Sequence, residues 1–250
     1  MKLSIRELAA GMRVQLTTSS NCDCPSVTNN PKPSQLNCDR LAPFYHPLET
    51  LTFGRALQNA RCAFLPQVTS ARRAILCGDG DGRFLARLLQ INPIVTIDFV
   101  DLSSRMIELA QRRAARLGPS FLARVRFLRQ DIAHFEPPPG GYDLLATHFF
   151  LDCFAQREIL SAVSRIASWA APGAHWLVTD FREAPTPLRR LYTRAAIRTL
   201  YAAFDFATGL SVTELPRYTE ALAASGCIPK NERITLGGLL YSSLWQCPGA

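Results

Sequence analysis

The regular alternation of strand-like and helix-like segments constrains the fold of this chain most. Short apolar, partly β-branched runs predict strands, and amphipathic segments between them predict helices. The predicted strands cover residues 74–77, 94–100, 125–128, 142–146 and 175–179. The predicted helices are one that opens over 84–89 and stops before Pro93, and two that cover 103–117 and 156–170. Strands that alternate with helices in this way form a parallel sheet with helices on both faces. The sequence therefore predicts a doubly wound α/β fold.

The rhythm changes after Phe181. Residues 186–206 and 213–225 have helical patterns, and we interpret residues 186–225 as a helical insertion or lid. Two β-like runs follow, 228–236 and 239–246, separated by Gly237-Gly238. A Gly-Gly pair between such runs is a strong hairpin signal. This antiparallel hairpin brings the predicted, mostly parallel sheet to seven strands.

The beginning of the chain differs in composition from the rest. Residues 1–36 contain many Ser, Thr, Asn and Pro and few large apolar residues. Such a segment cannot offset the entropy of ordering, so it predicts a flexible leader before one domain over 37–250. Within that domain, residues 41–65 have a helical pattern that ends at Pro66. We find no signal-peptide core and no apolar run of the roughly 20 residues that a membrane helix needs.

The chain has eight cysteines but no C-x-x-C pair, so zinc-ribbon spacing is missing and no metal site is expected. Cys77, Cys153 and Cys227 lie in apolar contexts, which predicts buried free thiols. Free thiols without a disulfide pattern favour the reducing cytoplasm as the location.

The segment Gly78-Asp-Gly80-Asp-Gly82 joins the first strand to the first helix. In open α/β sheets a ligand binds at the carboxyl ends of the strands beside this connection. Glycines let the ligand approach the backbone, and the helix N-terminus offers free N–H groups. The spacing is not the G-x-G-x-x-G of dinucleotide sites, because Arg83 takes the last position, and no Gly-Lys-Ser/Thr follows for a Walker loop.

Two aspartates follow the next predicted strands. Asp101 ends the second strand about 20 residues after the glycines, where a carboxylate can accept hydrogen bonds from ribose hydroxyls. Asp131 follows the third strand, where it can accept a hydrogen bond from an adenine amino group or simply cap the strand end.

With these motifs in this order, residues 37–246 resemble class I S-adenosylmethionine-dependent methyltransferases, which have a Rossmann-like fold. The resemblance implies S-adenosyl-L-methionine as the cofactor. It implies that Asp101 holds the ribose, that the glycine loop lines the methionine part and that the other residues surround the adenine or the methyl group. The implied cofactor-binding residues are Cys77, Gly78, Asp79, Gly80, Gly82, Asp101, Leu102, Met106, Asp131, Ile132 and His148.

Other segments are more specific, and one position departs from the family pattern. Residues 39–46, 179–181 and 185–192 are similar to segments of the ubiquinone/menaquinone C-methyltransferases, but 148–154 replace that group's usual segment after strand four. Leu76 stands where the family has an acidic residue that helps to hold the methionyl end of the cofactor. Asp79 or Asp81 can substitute for that acid.

Methyl transfer is a displacement at an activated sulfonium, so the enzyme mainly aligns the reactants and excludes water. A base is needed only if the acceptor must lose a proton. His148 and Asp152 follow the fourth predicted strand, where the transferred methyl group points, and either can act as that catalytic base. The alternatives are a loop histidine with local hydrogen bonds and an aspartate that caps the next helix.

The distribution of charged and apolar residues indicates which substrates or partners the protein could bind. The net charge is +8, and Arg190, Arg194 and Arg198 share one face of a predicted helix. That face fits peripheral contact with a membrane or lipid, an acidic substrate, or plain solvation. Phe149-Phe150-Leu151 predicts a small, apolar aromatic or isoprenoid-like substrate. Nucleic-acid methylation is the second enzyme hypothesis, although no Asn-Pro-Pro-Tyr run or nucleic-acid-binding module occurs. A non-catalytic cofactor-binding protein is the third.

Overall fold

The computed structural model describes residues 54–208 and 214–248, and its centre is a seven-stranded sheet. The strands run in the spatial order β3-β2-β1-β4-β5-β7-β6. The first five are parallel, and β7 is antiparallel to both β5 and β6. This order confirms the doubly wound sheet with an antiparallel C-terminal hairpin. The strands are β1 Arg73–Cys77, β2 Thr96–Asp101, β3 Val125–Arg129, β4 Tyr142–His148, β5 Ala170–Phe181, β6 Ile228–Thr235 and β7 Leu240–Gln246.

Helices connect the parallel strands. Ser103 accepts a hydrogen bond from the Met106 N–H at 3.1 Å and so caps the helix that follows β2, which confirms the predicted serine cap. Among the described helices, none has the length and apolar character required to cross a membrane. The helices are α1 Ala56–Arg61, α2 Arg83–Ile91, α3 Ser104–Leu117, α4 Pro119–Leu122, α5 Gln156–Ala167, α6 Pro187–Thr208 and α7 Tyr218–Ala224.

The two faces of the sheet bury separate apolar cores. Ile75 and Leu145 belong to the core that contains residues of α5 and α7, whereas Leu76 and Leu144 belong to the core with α2 and α3. Neighbouring residues of a strand point to opposite faces, so consecutive apolar residues in β1 and β4 serve both cores. Both faces of the sheet are therefore packed against helices below the carboxyl ends of the strands.

Several predicted boundaries are wrong. Strand β4 continues to His148, and β5 already begins at Ala170, where the sequence predicts the end of a helix. The Tyr142 N–H donates to the Trp169 carbonyl at 2.8 Å, and the register shifts directly afterwards. Pairing with β4 thus keeps Pro172-Gly173, which would end a helix, within an irregular stretch of β5.

Two further helix boundaries differ from the prediction within the part of the chain that the structure describes. Within the described part of residues 41–65, the helix is α1, followed by a 3-10 turn over Leu65–Val68. The predicted helix over 213–225 begins only at Tyr218. The predicted leader, residues 1–36, and the resembling segment 39–46 lie outside the described residues.

The interpretation of Cys227 as a free thiol is wrong, because it forms a disulfide with Cys247. Ile228 and Gln246 are register partners in the β6–β7 pair, so the flanking cysteines stand opposite each other with Cα atoms 4.2 Å apart. Cys77 and Cys153 are free, as predicted, although Cys153 is only partly buried. The cytoplasmic location was inferred from free thiols, and Cys227 and Cys247 do not support that inference. The location stays a prediction.

Candidate active site

The glycine loop leaves β1 at the carboxyl edge of the sheet. Gly78 donates from its N–H to the Val100 carbonyl at 2.9 Å, which ties the end of β1 to β2. Gly78 and Gly82 have φ angles of 63° and 75°, in the left-handed region that favours glycine. A Cβ at Gly82 would lie 2.7 Å from the Ala110 Cβ, so glycine also permits the close approach of α3. A Cβ at Gly78 would overlap the Phe150 ring.

The two aspartates of the loop have different roles. Asp81 forms ion pairs with Arg83 at 3.1 Å and Arg113 at 2.8 Å, so it fastens the loop to α2 and α3. Asp79 accepts from the Leu85 N–H at 3.0 Å through one carboxylate oxygen. Its other oxygen is buried and has no hydrogen-bond partner among the described residues. Burial raises the pKa of Asp79 to about 7, although the charge of Arg61 opposes the shift.

Leu76, at the position where the resembling family has an acid, is fully buried in the apolar core of α2 and α3. An ionised side chain there would be costly. Asp79 is therefore the carboxylate of the loop that retains an acceptor oxygen for a ligand, whereas Asp81 is already neutralised by two arginines.

The ends of β2 and β3 carry the next two predicted site residues to the same edge. Asp101 is half-buried and accepts from the Ser103 N–H at 2.9 Å. Asp131 is also half-buried and accepts from the Ala133 N–H at 2.9 Å. Because β1, β2 and β3 are adjacent and parallel, both carboxylates lie along the carboxyl edge next to the glycine loop.

The apolar members of the predicted cofactor set accompany these aspartates. Met106 and Ile132 are buried, and Leu102 is half-buried. Cys77 is the last residue of β1, and its burial, with the charge of Asp101, raises the pKa of its thiol far above the usual range. Cys77 is therefore an uncharged wall residue and not a nucleophile.

His148 is the last residue of β4 and is buried in the sheet edge, not in a loop. Its ring centroid lies 4.4 Å from that of Phe84, and neither ring nitrogen has a hydrogen-bond partner in the described part of the chain. The alternative of a loop histidine with local hydrogen bonds is thus wrong. Burial and the charge of Arg61 lower the pKa of His148 well below its usual value, so the imidazole is neutral at pH 7.

Asp152 lies in a buried 3-10 turn, Leu151–Cys153, and faces a second carboxyl group, Asp180 of β5. It does not cap α5, whose N-cap residue is Ala155. Asp180 also accepts from the Leu151 N–H at 3.2 Å, so the turn and the strand are tied together. We call these two residues the carboxyl pair.

Burial dominates the protonation of the carboxyl pair. It raises the pKa of Asp152 to about 6, and burial together with the charge of Asp152 raises the pKa of Asp180 well above its usual value. The pair therefore holds one proton near neutral pH, with Asp152 as the ionised member. The sequence analysis missed Asp180, although an aspartate at the end of the apolar run 176–181 was a usable signal.

Two tyrosines from the C-terminal helices close over the carboxyl pair. The Tyr201 hydroxyl of α6 donates to the Asp152 carbonyl at 3.3 Å, and the Tyr218 hydroxyl of α7 donates to the Phe181 carbonyl at 3.1 Å. Phe149, between β4 and the turn, has a φ of 53°, which is strained for a phenylalanine. This backbone turn precedes Phe150, whose ring packs over Gly78 and so links the carboxyl pair to the glycine loop.

The predicted basic face of the long helix is not a uniform solvated stripe. Arg190 donates to the carbonyls of Ala184 and Pro185, and Arg194 binds both oxygens of Glu183 at 2.9 Å. Arg198 has no ion pair within the described part of the chain. Peripheral contact with lipid stays a prediction.

Residues 77–176 match the family model described as "Methyltransferase domain". An O-methyltransferase family protein from Burkholderia thailandensis is 19% identical with a TM-score of 0.57, over 87% of this chain and 65% of that one. An O-methyltransferase family 2 protein from Planctomyces limnophilus, solved with apigenin, is 18% identical with a TM-score of 0.55, over 70% and 50% of the two chains.

The N-methyltransferase NodS from Bradyrhizobium japonicum, solved with S-adenosyl-L-homocysteine, is 15% identical with a TM-score of 0.51, over 82% of this chain and 88% of that one. The chain thus spans less than two thirds of the Burkholderia and Planctomyces proteins. A comparison with curated protein sequences gives no match.

These likenesses agree on the fold, and the family model covers the glycine loop, Asp101, Asp131, β4 and the start of β5. The resemblance to the ubiquinone/menaquinone group is not confirmed and stays a prediction. Residues 77–176 are thus similar to a methyltransferase domain, and the sheet has the Rossmann-like fold of these solved methyltransferases.

Proposed function

We propose that the whole chain catalyses methyl transfer from S-adenosylmethionine to a hydroxyl group of a small, largely apolar aromatic molecule. The carboxyl pair is the observation that carries the proposal. Two buried carboxyl groups, one in the turn after β4 and one in β5, lower the stability of the fold, and buried groups with shifted pKa values are concentrated at functional sites. A protein that only bound the cofactor would not need them.

The residues at the glycine loop fit the cofactor. The unpartnered oxygen of Asp79 is a suitable acceptor for the ammonium of the methionyl end, in place of the acid that Leu76 replaces. Asp101 would accept hydrogen bonds from the ribose hydroxyls. Asp131 and Ile132 would lie against the adenine. Gly78, Gly80 and Gly82, with Cys77, would line the methionyl part through their backbone, beside the Phe150 ring that packs over Gly78, and Leu102 and Met106 would supply apolar contact.

The bound cofactor supplies an electrophilic methyl group on a sulfonium. Asp152, as the ionised member of the carboxyl pair, accepts the acceptor's hydroxyl proton, while Asp180 keeps the shared proton. Asp79 and Asp101 would hold the cofactor that supplies this methyl group. Asp152 is better suited as the base than His148, because a base works best when its pKa lies near the operating pH.

His148 would then line the path of the methyl group as a neutral ring. Its unpartnered nitrogens and the rings of Phe149 and Phe150 give the site an apolar wall with few polar groups, as small-molecule sites have. The O-methyltransferase neighbours, one of them solved with apigenin, support an aromatic hydroxyl compound as the acceptor.

Incubation with methyl-labelled S-adenosylmethionine and a panel of phenols, including apigenin, tests the proposal. We expect labelled O-methyl product from at least one phenol and none from RNA or DNA. Methyl label in RNA or DNA would show that the acceptor is a nucleic acid and not a small aromatic molecule. Absence of S-adenosylhomocysteine binding in calorimetry would refute the proposed activity altogether.

A further inference from the structure

Helix α6 has an uncharged face that points away from the protein. Its inward face is marked by Thr193, Ile197 and Tyr201, which recur every four residues and are buried. With about 3.6 residues per turn, the opposite face carries only exposed, uncharged side chains. We call this face the outer strip, and its residues are Leu188, Leu191, Tyr192, Ala195, Thr199 and Ala202.

The exposure of the outer strip is the opposite of what a surface helix normally shows. Leu188 is 88% exposed and Leu191 is 74% exposed, more than any other large apolar side chain of the described chain, and Tyr192 is 54% exposed. A surface helix usually turns polar side chains to the solvent. The Thr199 hydroxyl donates to the Ala195 carbonyl at 2.9 Å, so this polar group has a partner without water. An exposed apolar surface of this kind marks a docking site.

Arginines border the outer strip along both sides. On the helix surface, Arg189 lies beyond one edge of the strip, and Arg194 and Arg198 lie beyond the other. All three arginines are exposed. The sequence contains no acidic residue between Glu183 and Asp205, and Glu183 balances only Arg194. The strip is therefore an apolar surface with an excess of positive charge at its edges.

The turn of the C-terminal hairpin adjoins the start of the outer strip. A Cβ at Gly237 would lie 4.0 Å from Cε1 of Tyr192. The preceding residue, Leu236, is exposed and has a φ of 52°, which is strained for a leucine. Residues 233–246 contain no acidic side chain. The hairpin turn thus places another exposed leucine one residue from its contact with Tyr192, and it adds no negative charge.

We propose that α6 lies on an anionic lipid bilayer, with the outer strip in the interface and the bordering arginines at the lipid phosphates. A helix with one apolar face and basic borders binds in the plane of such a surface. Long arginine side chains can reach the headgroups while their stems stay in apolar contact. The inward face of α6 is packed on the protein, so only the outer strip is available to the lipid.

Charge decides between a bilayer and a second copy of this chain. In a twofold dimer the same strip would face itself, so the arginines of both helices would come together. Neither helix supplies an acid between Glu183 and Asp205 to balance them. Like charges brought together across an interface weaken it, whereas an anionic bilayer attracts the same arginines. The lipid surface is therefore the partner that fits this face.

Sedimentation of the full chain with lipid vesicles tests the surface. Vesicles of phosphatidylcholine and phosphatidylserine in equal parts provide the anionic bilayer, and pure phosphatidylcholine provides a neutral one. We expect binding to the mixed vesicles to be at least about tenfold tighter, because each arginine near an anionic surface contributes about fivefold. Equal binding to both kinds of vesicle, or no binding to the mixed ones, would overturn the proposal.

The leucines of the strip have a matched control. Leu188→Ser combined with Leu191→Ser should weaken binding to the mixed vesicles at least about tenfold, since two large apolar side chains leave the interface. Leu160→Ser, which removes a 53% exposed leucine of α5, should keep the affinity within about twofold. An undiminished affinity in the double variant, or an equal loss in the control, would show that the bilayer contacts another surface.

Fluorescence reports the contact without a change in affinity. The three tryptophans of the chain, Trp169, Trp176 and Trp245, are buried, so Tyr192→Trp adds an exposed reporter. Its emission should move to shorter wavelength with the mixed vesicles, whereas the emission of Leu160→Trp should stay unchanged. An unshifted emission at position 192 contradicts insertion of the strip. Sedimentation equilibrium without lipid completes the test, because a dimer that the double leucine variant abolishes would assign the strip to a second copy.

Discussion

The two halves of the site's edge handle their polar groups differently. Along β1 to β3, the aspartates are bonded to their own chain: Asp101 to Ser103, Asp131 to Ala133 and Asp81 to Arg113. Along β4 and β5, His148 and the carboxyl pair are buried with few such partners. In the first half the carboxylates are compensated by hydrogen bonds and ion pairs, whereas the buried groups of the second half lower the stability of the fold.

We infer from this contrast that the first half of the edge binds the cofactor and that the second half takes part in the reaction. Loss of a carboxylate in the first half should weaken cofactor binding, whereas loss in the second half should slow the reaction and leave cofactor binding intact. Asp79 is the exception in the first half, since one of its oxygens is buried without a partner in the described chain. Each of the following changes tests one side of the contrast.

Asp152→Asn should have the largest effect. Without an ionised base, turnover on the best phenol of the panel should fall about 10²–10⁴-fold, while the dissociation constant of S-adenosylhomocysteine stays within about twofold. Glu136→Gln, an exposed carboxylate, is the control and should retain full turnover. Full activity of Asp152→Asn would remove the carboxyl pair from the reaction.

Asp101→Ala should weaken binding of S-adenosylhomocysteine by about 1.5–3 kcal/mol, because hydrogen bonds to a charged group have this magnitude. Titration calorimetry measures the change directly. Glu108→Ala, which removes an exposed carboxylate of α3, should leave the affinity unchanged. An unaltered dissociation constant in folded Asp101→Ala would show that this carboxylate does not hold the ribose.

The pH dependence of cofactor binding tests Asp79. Its pKa of about 7 means that the carboxyl is protonated below pH 7 and no longer attracts an ammonium group. S-adenosylhomocysteine affinity should therefore rise from pH 5 to pH 7, by at most about tenfold per pH unit. In Asp79→Asn the slope should vanish. The same slope in that variant would assign the titration to another group.

His148→Leu should have the smallest effect and the opposite sign. Replacing a buried ring whose nitrogens lack partners in the described chain should raise the free energy of unfolding by about 1 kcal/mol, measured in urea. His175→Leu, at a partly exposed position of β5, should change it by no more than about 0.5 kcal/mol. A clear loss of stability in His148→Leu would indicate that the histidine is bonded after all.

The half of the site along β1 to β3 was easier to predict from the sequence than the half along β4 and β5. The alternation of strands and helices, the glycine loop and the strand-end aspartates were predictable because local signals create them: apolar runs, a serine cap and glycines that permit left-handed turns. The half of the site along β1 to β3 was therefore visible in the sequence.

The other half depends on contacts between distant residues. Asp180 meets Asp152 only because β5 lies beside β4, and the tyrosines that cover them come from helices far along the chain. The extension of β4 to His148 also comes from pairing with β5, which brings His148 beside Thr179. The local pattern marks Asp180 as an aspartate near a strand end but does not show that it meets Asp152, so the base candidates were found but not their protonation partner.

The disulfide has a practical consequence for comparing samples. It closes a 20-residue loop at the open end of the hairpin whose other end is the Gly237-Gly238 turn. A cross-link over such a loop restricts the unfolded chain by about 3 kcal/mol in the chain-entropy model. Preparations made with and without a reductant are then two polymers of different connectivity, and melting temperatures of variants are comparable only at the same oxidation state of Cys227 and Cys247.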